Sequence, residues 1–262
     1  MRVGGHSNTY HTCSAEEAWA GIAAAGYSTV ELSSVVGWTE HVILDAPPAD
    51  LFTRLAHHGL TATVLSAHSD LTTPDGADYA IKAIRWCHDN GITVMNTAIG
   101  GHSSQEENEV AFLTGITRVA AAADEAEVDV ALEIHGDIMA TGALTVPLLE
   151  RIGHPRIKVA YDTANCEFYG DTAAVDDLHT MLPYLANIHL KDKVGGKGVW
   201  DFPEPGAGHV DFRRILEILT AGGYDGPASV EIEFNGTWPP VEGIDAAMKR
   251  GRDHLLAEGY LA

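Results

Sequence analysis

Positive charge and cysteine are both scarce in this sequence, and each shortage limits what the protein can bind. Lysine and arginine number 16 against 37 aspartates and glutamates, so the formal net charge of the 262 residues is −21. A protein of that charge repels nucleic acid phosphates and anionic membrane surfaces, and we expect neither as a partner. The three cysteines, Cys13, Cys87 and Cys166, are scattered and odd in number, which is typical of reduced thiols rather than disulfides.

Long apolar runs and nucleotide-binding motifs are also lacking. The alanine-rich segments are much shorter than the roughly 20 residues of a membrane-spanning helix, and residues 1–10 lack the apolar core of a signal peptide. We therefore expect a cytoplasmic protein without a membrane partner. The segment VGGHSNTY, at the first predicted strand, lacks the G-x-G-x-x-G pattern, and the chain has no P-loop motif. No nucleotide cofactor is expected.

Short β-branched segments alternate with longer segments rich in alanine and leucine, a pattern typical of βα units around a parallel sheet. Eight strands are predicted, at 2–7, 29–33, 61–68, 93–100, 128–135, 157–162, 186–191 and 228–234. Eight helices are predicted, at 14–26, 48–59, 76–91, 106–126, 143–153, 172–185, 212–223 and 243–259. Because no linker interrupts the eight units, they predict an α/β fold, a single (β/α)8 TIM-barrel domain over residues 1–262.

Predicted strands five to eight each carry an ionisable residue near the carboxyl end, where TIM barrels place their chemistry. These residues are Glu133 in ALEIH, Asp162 in VAYD, His189 in IHLK and Glu231 in VEIE. Isolated charges are costly to bury, so four at neighbouring strand ends indicate a shared divalent cation. Three carboxylates and one imidazole suit Mn²⁺ first, with Mg²⁺, Co²⁺ or Zn²⁺ as alternatives. Glu233 follows Glu231 by two residues on the same side of the strand, so either glutamate could be the ligand.

The segments ALEIHG, YDTAN, NIHLKD and GYDGPASVEIE resemble the xylose-isomerase-like TIM-barrel family. This family includes ketose 3-epimerases, hydroxypyruvate isomerases and inositol-catabolism proteins. The resemblance extends to TVELS, SAHSDL and NTAIGG at the earlier predicted strand ends. It implies that Glu133, Asp162, His189 and Glu231 are the metal ligands, and that Glu133 and Glu231 also transfer protons. It favours Glu231 over Glu233, because the position of Glu231 in SVE matches the family pattern.

The sequence departs from the epimerases of this family at positions expected to contact the substrate. Asn165 in YDTAN stands where the epimerases have a histidine, and an amide can bind a hydroxyl but cannot transfer a proton. Lys191 and Asp192 in HLKD stand where they have glutamate and arginine. The identity of the substrate therefore does not follow from the resemblance.

A divalent ion on a ketose carbonyl and its neighbouring hydroxyl acidifies the adjacent C–H by stabilising an enediolate. With Glu133 and Glu231 on opposite sides of the substrate, one can remove the proton and the other can return it. The sequence therefore predicts a metal-dependent isomerase or epimerase of a sugar or cyclitol. His135, two residues after Glu133, is better poised as a base at neutral pH and supports an alternative. That alternative is a metal-dependent lyase that cleaves 3-keto-glycosides, C- or O-linked, by enolisation and β-elimination.

Further polar and aromatic residues near predicted strand ends are candidates for substrate binding. They are Trp38, as a wall for a sugar ring, together with His68, His102, Asn165 and Lys191. The lysines at 191, 193 and 197 suggest a phosphate, yet FNGTWPP after strand eight offers no glycine-rich cradle, which favours an unphosphorylated carbohydrate.

Two other classes of protein are weaker interpretations. An abasic-site endonuclease of the same fold needs a basic groove and many more histidine ligands. A sugar-binding protein without catalysis would not need all four predicted ligands. The sequence leaves open whether the chain forms a homo-oligomer or joins a small partner subunit, although its alanine-rich helices could pack against another chain.

Overall fold

A computed structural model describes residues 1–100 and 106–261, and eight parallel strands in it close into a barrel in chain order. The strands are β1 (Gly4–His6), β2 (Thr29–Ser33), β3 (Thr61–Ser66), β4 (Val94–Thr97), β5 (Asp129–Glu133), β6 (Ile157–Asp162), β7 (Leu185–Leu190) and β8 (Ala228–Val230). Pairing of β1 with β8 completes the barrel. The predicted TIM barrel is confirmed.

Helices follow the strands on the outside of the barrel. Within the described residues they are α1 (Ala15–Ala25), α2 (Pro48–His57), α3 (Pro74–Asp89), α4 (Glu106–Ala126), α5 (Gly142–Ile152), α6 (Asn165–Gly170), α7 (Ala174–Met181), α8 (Phe212–Ala221) and α9 (Val241–Ala257). None of these helices combines the length and the hydropathy that crossing a bilayer requires.

Local sequence explains where the first helices begin and end. Ser14 and Glu17 form a capping box, in which each side chain accepts a hydrogen bond from the backbone N–H of the other. Gly26, with φ of 98°, ends α1 in the left-handed conformation that glycine adopts without strain. Proline begins α2 at Pro48 and α3 at Pro74, where its missing N–H costs nothing.

Several predicted strands extend past the carboxyl ends of the observed strands, strand eight by the most residues, and one observed helix was not predicted. Strand eight was predicted over 228–234, but β8 ends at Val230 because the next residues leave the sheet. The N–H of Phe234 donates to the carbonyl of Phe202, which draws the chain toward the loop after β7. Helix α6 was not predicted, since it is only six residues long.

The barrel interior has a small apolar floor beneath a polar layer. A separate apolar cluster lies among five of the strands and comprises Val64, Val94, Ala131, Ala160 and Ala186. Side chains two residues apart on a strand share a face, so Ala131 lies below Glu133 and Ala160 below Asp162. The upper layer of the interior is therefore left for ionisable side chains.

The long connection between β7 and α8 is held in place by one buried aspartate. The carboxylate of Asp192 accepts hydrogen bonds from the backbone N–H groups of Lys193, Gly206, Gly208 and Val210, at 2.8 to 3.0 Å. The ammonium of Lys193 then donates to three carbonyls of the same loop, those of Val194, Gly195 and Val199. These bonds fix the loop over the carboxyl ends of the strands.

Candidate functional site

Four ionisable side chains converge at the carboxyl ends of β5 to β8. Nδ1 of His189 lies 3.9 Å from Oε1 of Glu133, 3.8 Å from Oδ2 of Asp162 and 3.6 Å from Oε2 of Glu231. All four side chains are buried, and their nearest ligand atoms lie within 4.8 Å of one another. The structure thus brings together the four residues that the sequence predicts as ligands, and we call them the tetrad.

Two atoms of the tetrad have unused hydrogen-bonding capacity. Among the described residues, Oδ2 of Asp162 and Nδ1 of His189 are buried without a hydrogen-bond partner. The other oxygen of Asp162 is occupied, because it accepts from the backbone N–H groups of Ala164 and Asn165, both at 2.8 Å. A buried polar atom without a partner costs about 1–3 kcal/mol. A cation within the tetrad would remove that cost, so these residues fit a divalent metal ion.

The other ring nitrogen of His189 contacts a glutamate from the opposite side of the barrel. Nε2 of His189 lies 3.1 and 3.2 Å from the two oxygens of Glu31 on β2. Asn187, Asn96 and Ser229 also donate hydrogen bonds to this carboxylate. A proton held on Nε2 by Glu31 leaves the Nδ1 lone pair for the tetrad, the arrangement found around metal-binding histidines. No role was predicted for Glu31.

The charges around His189 shift its pKa and that of Glu31 in opposite directions. Burial alone would lower the pKa of His189, but Glu31 and Glu133 outweigh burial and raise that pKa well above its usual value. Burial alone would raise the pKa of Glu31, yet His189 and His6 hold it far below the ordinary range. The surrounding negative field that favours positive charge on the imidazole equally favours a cation beside it.

Glu231 is oriented by one amide and one ammonium group. The amide of Asn8 donates to Oε1 of Glu231 at 2.8 Å, and Nζ of Lys191 donates to Oε2 at 3.1 Å. Burial would raise the pKa of Glu231, but Lys191 and His6 hold it well below its usual value. Asn8 is fixed in turn by hydrogen bonds from Trp38 and Thr39 to its amide oxygen. Asn8 was not predicted, because an asparagine after a short strand carries no distinctive sequence signal.

Glu133 is held by two residues that the sequence predicts as substrate contacts. The amide of Asn165 donates to Oε1 of Glu133 at 3.2 Å, and Nε2 of His68 lies 2.9 Å from Oε2. Burial would lower the pKa of His68, but the Glu133 carboxylate raises it above the usual value. Asn165 is buried beside Glu133, and its amide also donates to the backbone carbonyl of Ile134, so both described hydrogen bonds of this amide are to protein groups.

Glu233 lies outside the tetrad and pairs with the lysine. Its Oε2 is 2.6 Å from Nζ of Lys191, which also packs over the ring of Phe202 at 4.5 Å. Burial and the nearby Glu231 outweigh the lysine and raise the pKa of Glu233 to about 7. Of the two glutamates that the strand pattern left open, Glu231 is the one placed in the tetrad.

A cavity of about 310 Å³ opens above the tetrad. Besides Glu133 and Glu231, its walls include four further predicted residues, Trp38, His68, His135 and Lys191. Nε2 of His135 lies 3.3 Å from the hydroxyl of Tyr169, another residue of the wall. The remaining predicted contact, His102, lies outside the described residues.

The fold and the tetrad define a class of protein, a TIM barrel with a candidate metal centre at the carboxyl ends of its strands. The family model described as xylose isomerase-like TIM barrel matches residues 19–254. The chain belongs to this family.

Several proteins similar to this chain are sugar epimerases. The L-ribulose-5-phosphate 3-epimerase UlaE of Escherichia coli K12 is 25% identical over 197 residues, which cover 74% of this chain and 67% of UlaE. A structure of L-ribulose 3-epimerase aligns with a TM-score of 0.79 at 20% identity, over 98% of this chain and 95% of that one. The IolI protein with a bound zinc atom aligns with a TM-score of 0.78 at 15% identity, over 98% of both chains.

Proposed function

We propose that this protein is a divalent-metal-dependent isomerase or epimerase that moves a proton beside the carbonyl of a sugar or cyclitol. The observation that carries the proposal is the tetrad beneath the cavity. In it, Asp162 and His189 each direct toward the other ligands a buried atom that has no hydrogen-bond partner in the part of the chain that the structure describes. The sugar epimerases among its relatives support the same class of reaction.

Glu133, Asp162, His189 and Glu231 would hold the metal ion, with Glu31 positioning His189 from behind. We propose Mn²⁺ because three carboxylates and one imidazole suit it, and Zn²⁺ is the alternative that the IolI structure supports. When bound, the ion acts as a Lewis acid that polarises the substrate carbonyl and stabilises the negative charge of an enediolate.

Glu133 and Glu231 are the two groups proposed to transfer the proton. Glu133 ends β5 and Glu231 directly follows β8, and different neighbours orient them: Asn165 and His68 contact Glu133, whereas Asn8 and Lys191 contact Glu231. One carboxylate removes the proton next to the carbonyl. Return of the proton by the other carboxylate to the opposite face gives an epimer, and return to the neighbouring carbon gives an isomer.

The position of His135 supports the second candidate, a lyase acting on 3-keto-glycosides. His135 lines the cavity but is not part of the tetrad, so it can act as a base without giving up a metal ligand. In that reaction His135 would remove the proton next to the ketone, and the freed electron pair would form a C=C bond to the β carbon. The aglycone would leave the β carbon with the electrons of its bond and take up the proton.

Deuterium exchange tests the two candidates together. The protein is stripped with a chelator, reloaded with Mn²⁺ and followed by NMR in D₂O with free ketoses, ketose phosphates, an inosose and 3-keto-glucosides. Deuterium beside the carbonyl with inversion or carbonyl migration supports the isomerase, and release of an aglycone supports the lyase. Full turnover of the metal-free protein would contradict both.

Two variants complete the design of this experiment. Glu133→Gln should abolish exchange because it removes a ligand and a base. Glu217→Gln, which removes an exposed carboxylate on α8, is the matched control and should keep the activity of the unmodified chain. Loss of turnover in His135→Gln with a normal metal content would favour the lyase.

A further inference from the structure

We infer that the substrate is an uncharged sugar or cyclitol that carries no phosphate and packs an apolar face against Trp38 and Trp200. This inference rests on the proposed function and specifies its substrate class. Two features of the cavity support it. The ammonium of Lys191 is already paired with protein carboxylates, and two tryptophans lie in the cavity wall.

The lysine in the described part of the cavity wall is already paired with carboxylates. In that described part of the wall, Lys191 is the one lysine, and arginine is absent. The ammonium of Lys191 lies 2.6 Å from Glu233, 3.1 Å from Glu231 and 3.6 Å from Asp162. A phosphate could pair with Lys191 only by separating it from carboxylates to which it is already bonded in a buried site, and breaking such pairs is strongly destabilising.

The loops after β7 and β8, where TIM barrels often bind phosphate, are also unsuited to an anion. Lys193 is turned into its own loop, where Nζ donates to carbonyl oxygens at 2.6 to 3.0 Å, and Lys197 is exposed and is not part of the described cavity wall. Asp211 caps the first turn of α8 by accepting from the N–H of Arg214 at 2.9 Å, and Glu242 lies in the first turn of α9. A carboxylate therefore caps the start of α8, and another negative side chain lies in the first turn of α9, which disfavours a phosphate at either helix start.

Trp38 is held rigidly with part of its surface exposed. Its indole N–H donates to Asn8 at 3.0 Å, and the ring of His11 stacks on it with centroids 3.9 Å apart. The residue is 44% exposed and lines the cavity. An aromatic surface fixed in advance loses little conformational entropy when it binds a ligand.

Trp200 provides a second aromatic surface from the loop that Asp192 anchors. Phe168 and Phe202 pack against its ring at right angles, with centroids 5.8 and 5.3 Å away. Trp200 is 38% exposed and lines the same cavity. Aromatic walls of this kind bind the C–H face of a carbohydrate ring or an attached apolar group, whereas the carboxylates below bind hydroxyl groups.

Matched pairs of substrates test the absence of a phosphate. The Mn²⁺-loaded protein is assayed by deuterium exchange with L-ribulose, D-ribulose, D-fructose and D-tagatose, each beside its terminal phosphate ester. We expect kcat/KM to be at least about tenfold higher for the free sugar of every active pair. A preference for the phosphate ester would overturn the inference and leave the proposed function standing.

Binding separates failure of the inference from failure of the proposed function. Calorimetry with the same pairs gives Kd for each ligand whether or not exchange occurs. No exchange with any pair, but tighter binding of free sugars, would contradict the proposed function while the preference of the cavity for an unphosphorylated ligand stands. Tighter binding of the phosphate esters, or no binding of any free sugar, would overturn the inference.

Variants of the two tryptophans test the aromatic walls. Trp38→Ala and Trp200→Ala should each raise KM and Kd for the free sugar by about tenfold, with metal content unchanged. Trp38→Phe keeps an aromatic ring but loses the hydrogen bond to Asn8. If this variant keeps its affinity for the free sugar, the ring and not that hydrogen bond is what the sugar needs. Val36→Ala and Val199→Ala, exposed residues of the same loops outside the cavity wall, are the controls. Unchanged Kd in both alanine variants of tryptophan would overturn this part of the inference.

Discussion

Asp162 and Asp192 are both fully buried aspartates near the carboxyl ends of neighbouring strands, but their hydrogen bonding differs. Each oxygen of Asp192 accepts two backbone N–H groups, so the carboxylate is saturated within the protein. In Asp162 one oxygen accepts two N–H groups, whereas the other has no hydrogen-bond partner among the described residues. A saturated buried carboxylate stabilises a loop, and an unsaturated one can accept a ligand.

The largest effect should follow from removing the unsaturated oxygen. Asp162→Asn keeps the shape of the side chain but loses the charge, and Mn²⁺ affinity should fall more than about 100-fold because a direct ligand is lost. Titration calorimetry of the chelator-treated protein measures this change. The exposed Asp176→Asn is the control and should bind Mn²⁺ as the unmodified chain does. Metal affinity within threefold of normal in Asp162→Asn would remove it from the ligand set.

Asp192 should give the opposite result. Asp192→Asn replaces one acceptor oxygen with an NH₂ group that faces backbone N–H donors, which should cost about 2–4 kcal/mol of unfolding free energy. Urea denaturation measures this loss, and trypsin should cleave the loop over 193–210 faster. Mn²⁺ affinity should stay within about threefold of normal. If this variant lost metal and kept its stability, the comparison between the two aspartates would be wrong.

Glu31 lies between these two cases, because it is saturated but contacts a proposed ligand. Glu31→Gln should lower Mn²⁺ affinity by about 10- to 100-fold, the usual effect of losing a carboxylate behind a metal-binding histidine. Nitrogen NMR of histidine-labelled protein should show a changed protonation pattern of the His189 ring. Ser229→Ala removes one of several donors to Glu31 and is the control. An unchanged His189 spectrum in Glu31→Gln would show that Glu31 does not set the tautomer.

The tetrad could be predicted from the sequence because its residues interrupt apolar strands. An ionisable residue at the end of a buried strand is individually costly, and four of them in consecutive strands require a common explanation. The barrel also followed from eight repeated units. Glu31 in TVELS also interrupts an apolar strand with a charge. Its contact with His189, however, crosses the barrel between strands that are not neighbours. Only the interior geometry shows that pairing.

The surroundings of the tetrad were less predictable, because they depend on loops and short elements. Asn8 reaches Glu231 from a single turn of helix after β1, and α6 is too short to produce a periodic pattern. Trp200 reaches the cavity only because Asp192 and Lys193 fold the loop over the barrel. Lys191 was predicted to bind substrate, and its pairing with three carboxylates depends on distances that strand order alone does not give.

A third buried aspartate, remote from the tetrad, extends the comparison to the smallest expected effect. Asp177 accepts from the N–H of Gly142 at the start of α5 and from the hydroxyl of Tyr161, yet burial outweighs these bonds and raises its pKa. Since the folded state binds this proton more tightly than the unfolded state, Asp177 favours folding most at low pH. This contribution is lost as pH rises through the raised pKa. We would measure the unfolding free energy of the unmodified chain and of Asp177→Asn in chelator between pH 3.5 and 6.5. The unmodified chain should be relatively more stable in acid, so the two free energies should converge or cross as pH rises. A relative gain for the unmodified chain at higher pH would instead mean that the bonds to Gly142 and Tyr161 dominate over burial.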